Sequence, residues 1–168
     1  MIVLRAATLA DQPLLAYWDT QPHVQAASGD DDPSDWFEEL ECDATWQENL
    51  IAELDGRPIG VIQMIDPARE ETHYWGDVAP NLRAIDIWIG ELDDLNRGHG
   101  TQMMHAAIRR CFAPPTVTAI LIDPLTSNVD AHRFYQRFGF VEVGRRTFGS
   151  DDCLVHRLER STWETLDQ

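Results

Sequence analysis

Two glycines, Gly98 and Gly100, stand between an apolar run, Ile85-Asp86-Ile87-Trp88-Ile89, and a stretch with helical spacing from Thr101 to Phe112. A glycine turn that leads from a strand into a helix leaves backbone N–H groups unshielded by side chains. Together with the positive end of the helix dipole they suit a pyrophosphate. Asn96, Arg97, Gly98, His99, Gly100 and Thr101 are therefore candidate phosphate ligands, and Arg97 adds a cation. The dinucleotide fingerprint needs a glycine or alanine three residues after Gly100, where Met103 stands, and no Gly-Lys-Ser/Thr run supplies a P-loop. The second chemical signal is Asp86. A carboxylate in an otherwise apolar strand is costly to bury, so it faces a cleft or a partner, unless simple alternation turns it to solvent.

The elements that must position these groups follow from periodicity. Ile2 to Ala6 reads as a strand, and Thr8 can cap a helix carrying Leu9, Leu14, Leu15 and Trp18. The polar stretch Gln21 to Asp32 reads as a loop, and a helix with Trp36, Phe37 and Leu40 begins at Pro33 or Ser34. Asn49–Leu54 and Pro58–Ile65 flank Asp55-Gly56, a hairpin signature. Pro67 to Arg83 is long and polar, which marks a functional loop or a distorted strand extension. Ala84–Ile89 and the almost wholly apolar Val117–Ile122 are strands, the second covered on both faces. Ser127 caps a helix from Val129 to Arg137, with Gly139 as its stop. Phe140–Arg146 and Leu154–Leu158 close the sheet around a turn, Gly149 to Asp152. The expectation is one α/β domain over residues 1–168 with a mixed sheet.

Composition narrows the partners. The chain of 168 residues carries 29 acidic and 13 basic residues, a formal net charge of −16. Nucleic acid and anionic membranes are poor partners for such a field, whereas a cationic substrate is drawn in; a solubilising surface would read the same way. No apolar run is long enough to span a bilayer, and the first residues do not make a signal peptide. Three scattered cysteines fit reduced thiols in a cytoplasm, with Cys111 as core filler. The six histidines form no zinc spacing, so no metal is expected.

The second half, read as a unit, resembles the GNAT superfamily of acetyl-CoA-dependent N-acyltransferases. The resemblance rests on a strand with Asp86, the Arg97-Gly98-His99-Gly100 loop, a strand ending at Asp123-Pro124, and then Ser127-Asn128, Ala131, Tyr135 and Gly139-Phe140. Leu95 departs from the superfamily's usual Gln or Arg but suits the aminoglycoside 6'-N-acetyltransferases, which the chain resembles from the hairpin Asp55-Gly56-Arg57-Pro58-Ile59-Gly60 with Gln63 onward. The implied fold is the acyl-CoA N-acyltransferase fold: a mixed, mostly antiparallel sheet with a splayed central strand pair and flanking helices.

The resemblance also implies roles. Acetyl-CoA would be the donor, held by the loop, by the edge of Ile87, Trp88 and Ile89, and by Asn128. Asp86 would bind the amine and act as its base, and Tyr135 would be the acid toward the coenzyme A sulfur, although helical spacing alone makes Tyr135 a core residue. Gln63, Trp75, Asp123, Asp151 and Asp152 would line the acceptor site, joined by the acidic run Asp30-Asp31-Asp32; Tyr74 and Trp75 suit either sugar rings or the core. The implied reaction is acetyl transfer to the 6'-amine of an aminoglycoside, a polycation. Rival acceptors are a polyamine, a protein N-terminus or a siderophore precursor, and a non-catalytic acyl-CoA-binding domain is the rival from another class. Monomer and homodimer both remain open.

Overall fold

The computed structural model describes residues 1–29 and 34–166. Seven strands form one sheet: β1 (Ile2–Ala6), β2 (Gln47–Leu54), β3 (Arg57–Ile65), β4 (Leu82–Ile89), β5 (Ala119–Ile122), β6 (Val141–Phe148) and β7 (Asp151–Glu159). Their order is β1-β2-β3-β4-β5-β7-β6, and every neighbouring pair is antiparallel except β4 and β5. Among the described residues six helices accompany it: α1 (Gln12–Asp19), α2 (Pro22–Ser28), α3 (Trp36–Glu41), α4 (His99–Phe112), α5 (Val129–Gln136) and α6 (Arg160–Leu166). None is long and apolar enough to cross a membrane.

Alternation along the strands divides the apolar residues between two faces. On one face Leu50, Ile62, Ile85, Ile120 and Ile122 pack against Met103, Met104, Ala107, Ile108 and Cys111 of α4 and Tyr135 of α5. The Cys111 thiol is core filler, pushed up to about 12 by burial. The other face carries two separate clusters. Ile51 and Val61 meet Leu15, Trp18 and Trp36 of the N-terminal helices, while Leu82, Ala84, Ala119 and Leu121 meet Trp75, Phe148 and Val155. Gln63 and Asp86, opposite each other in the β3–β4 register, lie on this same face in the gap between the clusters.

The central pair is splayed. β4 and β5 are matched only over Leu82–Ala84 and Ala119–Leu121. Beyond that, β4 stays with β3 out to the Ile89–Gly60 pair, whereas Ile122 pairs with His156 of β7. Pro124, lacking an N–H, stands two residues after Ile122.

Several local expectations need correction. Gln21–Asp32 is not all loop, because Pro22 at the first helical turn starts α2, whose single buried residue, Val24, gave no periodicity to read. Asp30, Asp31, Asp32 and Pro33 lie outside the described residues. The helix expected from Pro33 or Ser34 starts at Trp36, because Asp35 accepts from the Glu38 N–H, and its Phe37 is exposed. Thr8 opens a 3-10 turn before α1. Helix α4 begins two residues earlier than expected, at His99, while α6 was not anticipated. Asp151 and Asp152 begin β7 rather than sit in the turn before it.

Gly90, just past β4, fixes the N-terminal helices to the end of that strand. A Cβ there would lie 2.1 Å from the ring of the fully buried Trp18, whose indole donates to Glu91 at 3.0 Å. Gly90→Ala is expected to cost about 1–3 kcal/mol through overpacking, read as a lower denaturant midpoint with an unchanged slope. An unchanged midpoint would show that Trp18 does not seat against this glycine.

Candidate active site

The gap between the two clusters is a cavity of about 700 Å³, within the usual range for small-molecule sites. Asp86, Gln63, Asp123, Tyr74, Trp75 and Trp88 line it from one face of the sheet. Ile85, Ile87, Ile122, Asn128, Ala131 and Tyr135 line it from the other. The cavity therefore passes through the sheet where β4 and β5 part. Asp86 faces this cavity rather than open solvent, which resolves the two readings of its strand.

Carboxylates dominate the walls. Asp19, Glu39, Glu70, Asp86, Asp123 and Asp151 line the cavity, and no Lys, Arg or His among the described residues does. Burial pushes the Asp19 carboxyl above its ordinary value, only partly offset by the Trp36 indole that donates to it at 2.6 Å. Burial likewise raises Glu39, against hydrogen bonds from Ser34, Gln47 and Gln63, while the nearby Asp19 charge adds to the rise. Glu70 goes the other way. Its burial is outweighed by the N–H groups of Tyr74 and Thr72, which hold the carboxylate below its usual range. The Tyr135 phenol is raised well above its ordinary value by burial and then by the charges of Asp86 and Asp123, so it keeps its proton at neutral pH.

The glycine loop lies beyond the other end of β4. Arg57, at the start of β3, makes a two-pronged ion pair with Asp94 at 2.7 and 2.8 Å, which ties the loop to the hairpin. Asn96 and Gly98 have φ of 59° and 81°, and nothing lies within 4 Å of where a Gly98 Cβ would stand. The first amides of α4 have no acceptor within the helix, and the His99 Nδ1 is buried without a partner among the described residues. This open, donor-rich turn fits a pyrophosphate. Between loop and cavity runs the far edge of β4. The Gly90 N–H bonds Ile59 on β3, so strand alternation aims the N–H groups of Ile85, Ile87 and Ile89 at the opposite edge. There His23 of α2 donates through Nε2 to the Ile89 carbonyl at 2.9 Å.

The cavity thus gathers Gln63, Trp75, Asp86, Ile87, Trp88, Asp123, Asn128, Tyr135 and Asp151 among the sequence candidates. Ile89 and Asn96–Thr101 stand outside it, along the edge and loop. Trp75 is 4 % exposed and belongs chiefly to the core. The Asn128 side-chain oxygen caps α5, where Ser127 was expected, by accepting from the Ala131 N–H at 3.2 Å. Asp152 does not reach the main cavity; Arg145 donates to it at 2.6 Å, beside a shallow adjoining pocket. Asp19, Glu39, Glu70 and Trp46 carry no local sequence signal: Asp19 is the last residue of α1, Glu39 sits on a six-residue helix, and the others lie in polar stretches.

Residues 7–148 match the acetyltransferase (GNAT) domain. The chain belongs to the GNAT acetyltransferase family. It is 30 % identical to the aminoglycoside N(6')-acetyltransferase type 1 of Klebsiella pneumoniae, over 97 % of this chain and 85 % of that one. It is 27 % identical to the lysine N-acyltransferase MbtK of Mycobacterium tuberculosis, over 95 % of this chain and 78 % of that one. The solved aminoglycoside acetyltransferase AAC(6')-Ib, in complex with coenzyme A and kanamycin, superposes with a TM-score of 0.88 over the whole of both chains at 26 % identity. A GNAT acetyltransferase fold and activity class are thereby established for this chain.

Glu39 offers a test of the cavity's charge. A carboxyl whose folded value is raised destabilises the protein once pH exceeds the unfolded value, and that cost disappears as pH falls below it. Glu39→Gln is therefore expected to raise Tm at pH 7.5, with the advantage shrinking toward pH 4. A Tm lower than wild type at pH 7.5 would show that the Glu39 charge is already compensated.

Proposed function

We propose that this acetyltransferase transfers the acetyl group of acetyl-CoA to an amine of a polycationic acceptor, the 6'-amine of an aminoglycoside. The observation that carries this reading is the through-sheet cavity with six carboxylates and no lining base. Several ammonium groups on one ligand would offset the mutual repulsion and burial cost of these carboxylates. Coenzyme A and kanamycin bound to AAC(6')-Ib support the same pairing of donor and acceptor.

When bound, acetyl-CoA supplies the activated thioester. The N–H groups of α4 and the Asn96–Gly98 turn would hold the pyrophosphate, and the edge of β4 beyond Ala84 would align the arm by strand-like hydrogen bonds. The Ile87 N–H would polarise the thioester carbonyl as charge develops on its oxygen. Asp86 and Asp123 bind the acceptor ammonium. Asp86 takes its proton directly or through water. As the C–N bond forms and the C–S bond breaks, the Tyr135 phenol would donate its proton to the departing sulfur from the opposite face of the sheet, and the second proton lost by the nitrogen would restore the phenol through solvent. A second reading, an amino-acid amine acceptor, draws on the MbtK likeness.

Asp86→Ala is expected to lower kcat/KM for kanamycin and tobramycin about 100-fold or more while coenzyme A affinity stays within about twofold. Steady-state assays with acetyl-CoA, run beside lysine and spermidine, measure this. Turnover of lysine with none of any aminoglycoside would sink the acceptor reading, and wild-type rates in the variant would remove Asp86 from the chemistry.

A further inference from the structure

Tyr74 lies in the segment between β3 and β4, which has neither helix nor strand, yet its position is tightly fixed. The buried Glu70 carboxylate accepts from the N–H groups of Thr72 at 2.7 Å and Tyr74 at 2.9 Å, folding the segment back on itself. The Tyr74 ring stacks on Phe148 with centroids 4.3 Å apart and planes 6° off parallel. Trp75 meets both rings edge-on, and Arg146 covers Phe148 while donating to the Trp75 carbonyl at 2.8 Å. A phenol held in this way reaches one target: its hydroxyl donates to Oδ2 of Asp123 at 2.6 Å. That length is in the range of charge-assisted O–H···O⁻ bonds.

We propose that Tyr74 is a positioning residue which, through this hydrogen bond, fixes the Asp123 carboxylate toward the acceptor amine. The inference rests on the acceptor reading above and adds to it the group that orients Asp123. Asp123 directly follows β5 and lines the cavity together with Asp86. The phenol, itself fixed by its stacking and by Glu70, restrains the Asp123 carboxylate from the side of the β3–β4 segment. Burial, and then the Asp123 charge itself, hold the Tyr74 proton well above its ordinary range, so Tyr74 stays a donor throughout the working range of pH. A hydrogen bond to the ionised form also favours ionisation, which keeps Asp123 charged as the ammonium arrives. The other titratable or charged groups around the pair are Asp86 on β4, Asp151 and Cys153 on β7, Glu70 in the same segment, Tyr135 on α5 and Arg146 on β6.

Tyr74→Phe isolates the hydroxyl, because the stacked ring remains. Carbon-13 NMR of the carboxyl groups, with Asp123→Asn supplying the assignment, reads the Asp123 titration in the ligand-free protein. Its midpoint is expected to move to higher pH in Tyr74→Phe. The acid limb of kcat/KM moves the same way, and kcat/KM at neutral pH falls roughly ten- to hundredfold, as for a lost hydrogen bond to a charged group. In an Asp123→Asn background the added Tyr74→Phe change has no further effect. An Asp123 midpoint and an acid limb that stay where they are in Tyr74→Phe overturn the proposal, even if activity falls. A shifted midpoint in a protein that turns over no aminoglycoside supports the positioning role and overturns only the acceptor reading.

Discussion

The whole arrangement depends on how briefly β4 and β5 pair. Three matched residues on each strand hold them together, and then two competing attachments draw them apart. The end of β4 is bound on one side to β3, where a Gly60 Cβ would stand 2.5 Å from the Trp88 carbonyl, and on the other to α1, through Trp18 on Gly90. The end of β5 follows β7, and Pro124, two residues further on, has no N–H to donate. A sheet opened in this way exposes backbone groups that are costly to leave unmade in a dry interior. His23 satisfies one of them, the Ile89 carbonyl, and the remainder form a strand edge to which an extended ligand can add.

The split also explains how residues on opposite faces of the sheet share one cavity. Asp86 and Asp123 lie on the face of the N-terminal helices, and Tyr135 lies on the face of α4 and α5. In a closed sheet they would be separated by the full thickness of the backbone. The opening lets a base approach an acyl carbon from one side and an acid approach the sulfur from the other. The acceptor wall is then completed by two helices and two loop segments, which supply four of the six carboxylates: Asp19 from α1, Glu39 from α3, Glu70 from the segment before β4, and Asp123 from the loop after β5.

Much of this was legible in the sequence where physics acts locally. The glycine turn, the hairpin around Asp55-Gly56 and the wholly buried β5 follow from backbone freedom and from strand periodicity. Asp86 could be singled out because a lone carboxylate among isoleucines is expensive. The acceptor wall was much less legible. Helices α2 and α3 have seven and six residues, too short for a periodic signal, and Asp19 and Glu39 resemble ordinary solvated charges until tertiary packing buries them. Tyr74 was readable as an aromatic in a long loop, but its hydrogen bond joins residues 49 positions apart, which no local pattern encodes. Asn128 shows that a residue matching a motif can also serve as a helix cap.

The net charge of −16 now has a local meaning, since part of it is concentrated on one cavity without a lining base. The central claim is that donor and acceptor meet through the opening between β4 and β5. A crystal structure of the protein with coenzyme A and kanamycin tests this most directly. The account predicts the pantetheine arm along the free edge of β4, its sulfur beside the Tyr135 hydroxyl, and the 6'-amine within hydrogen-bonding reach of Asp86 or Asp123. A pantetheine arm that does not enter the opening, or an aminoglycoside bound away from both aspartates, would contradict it.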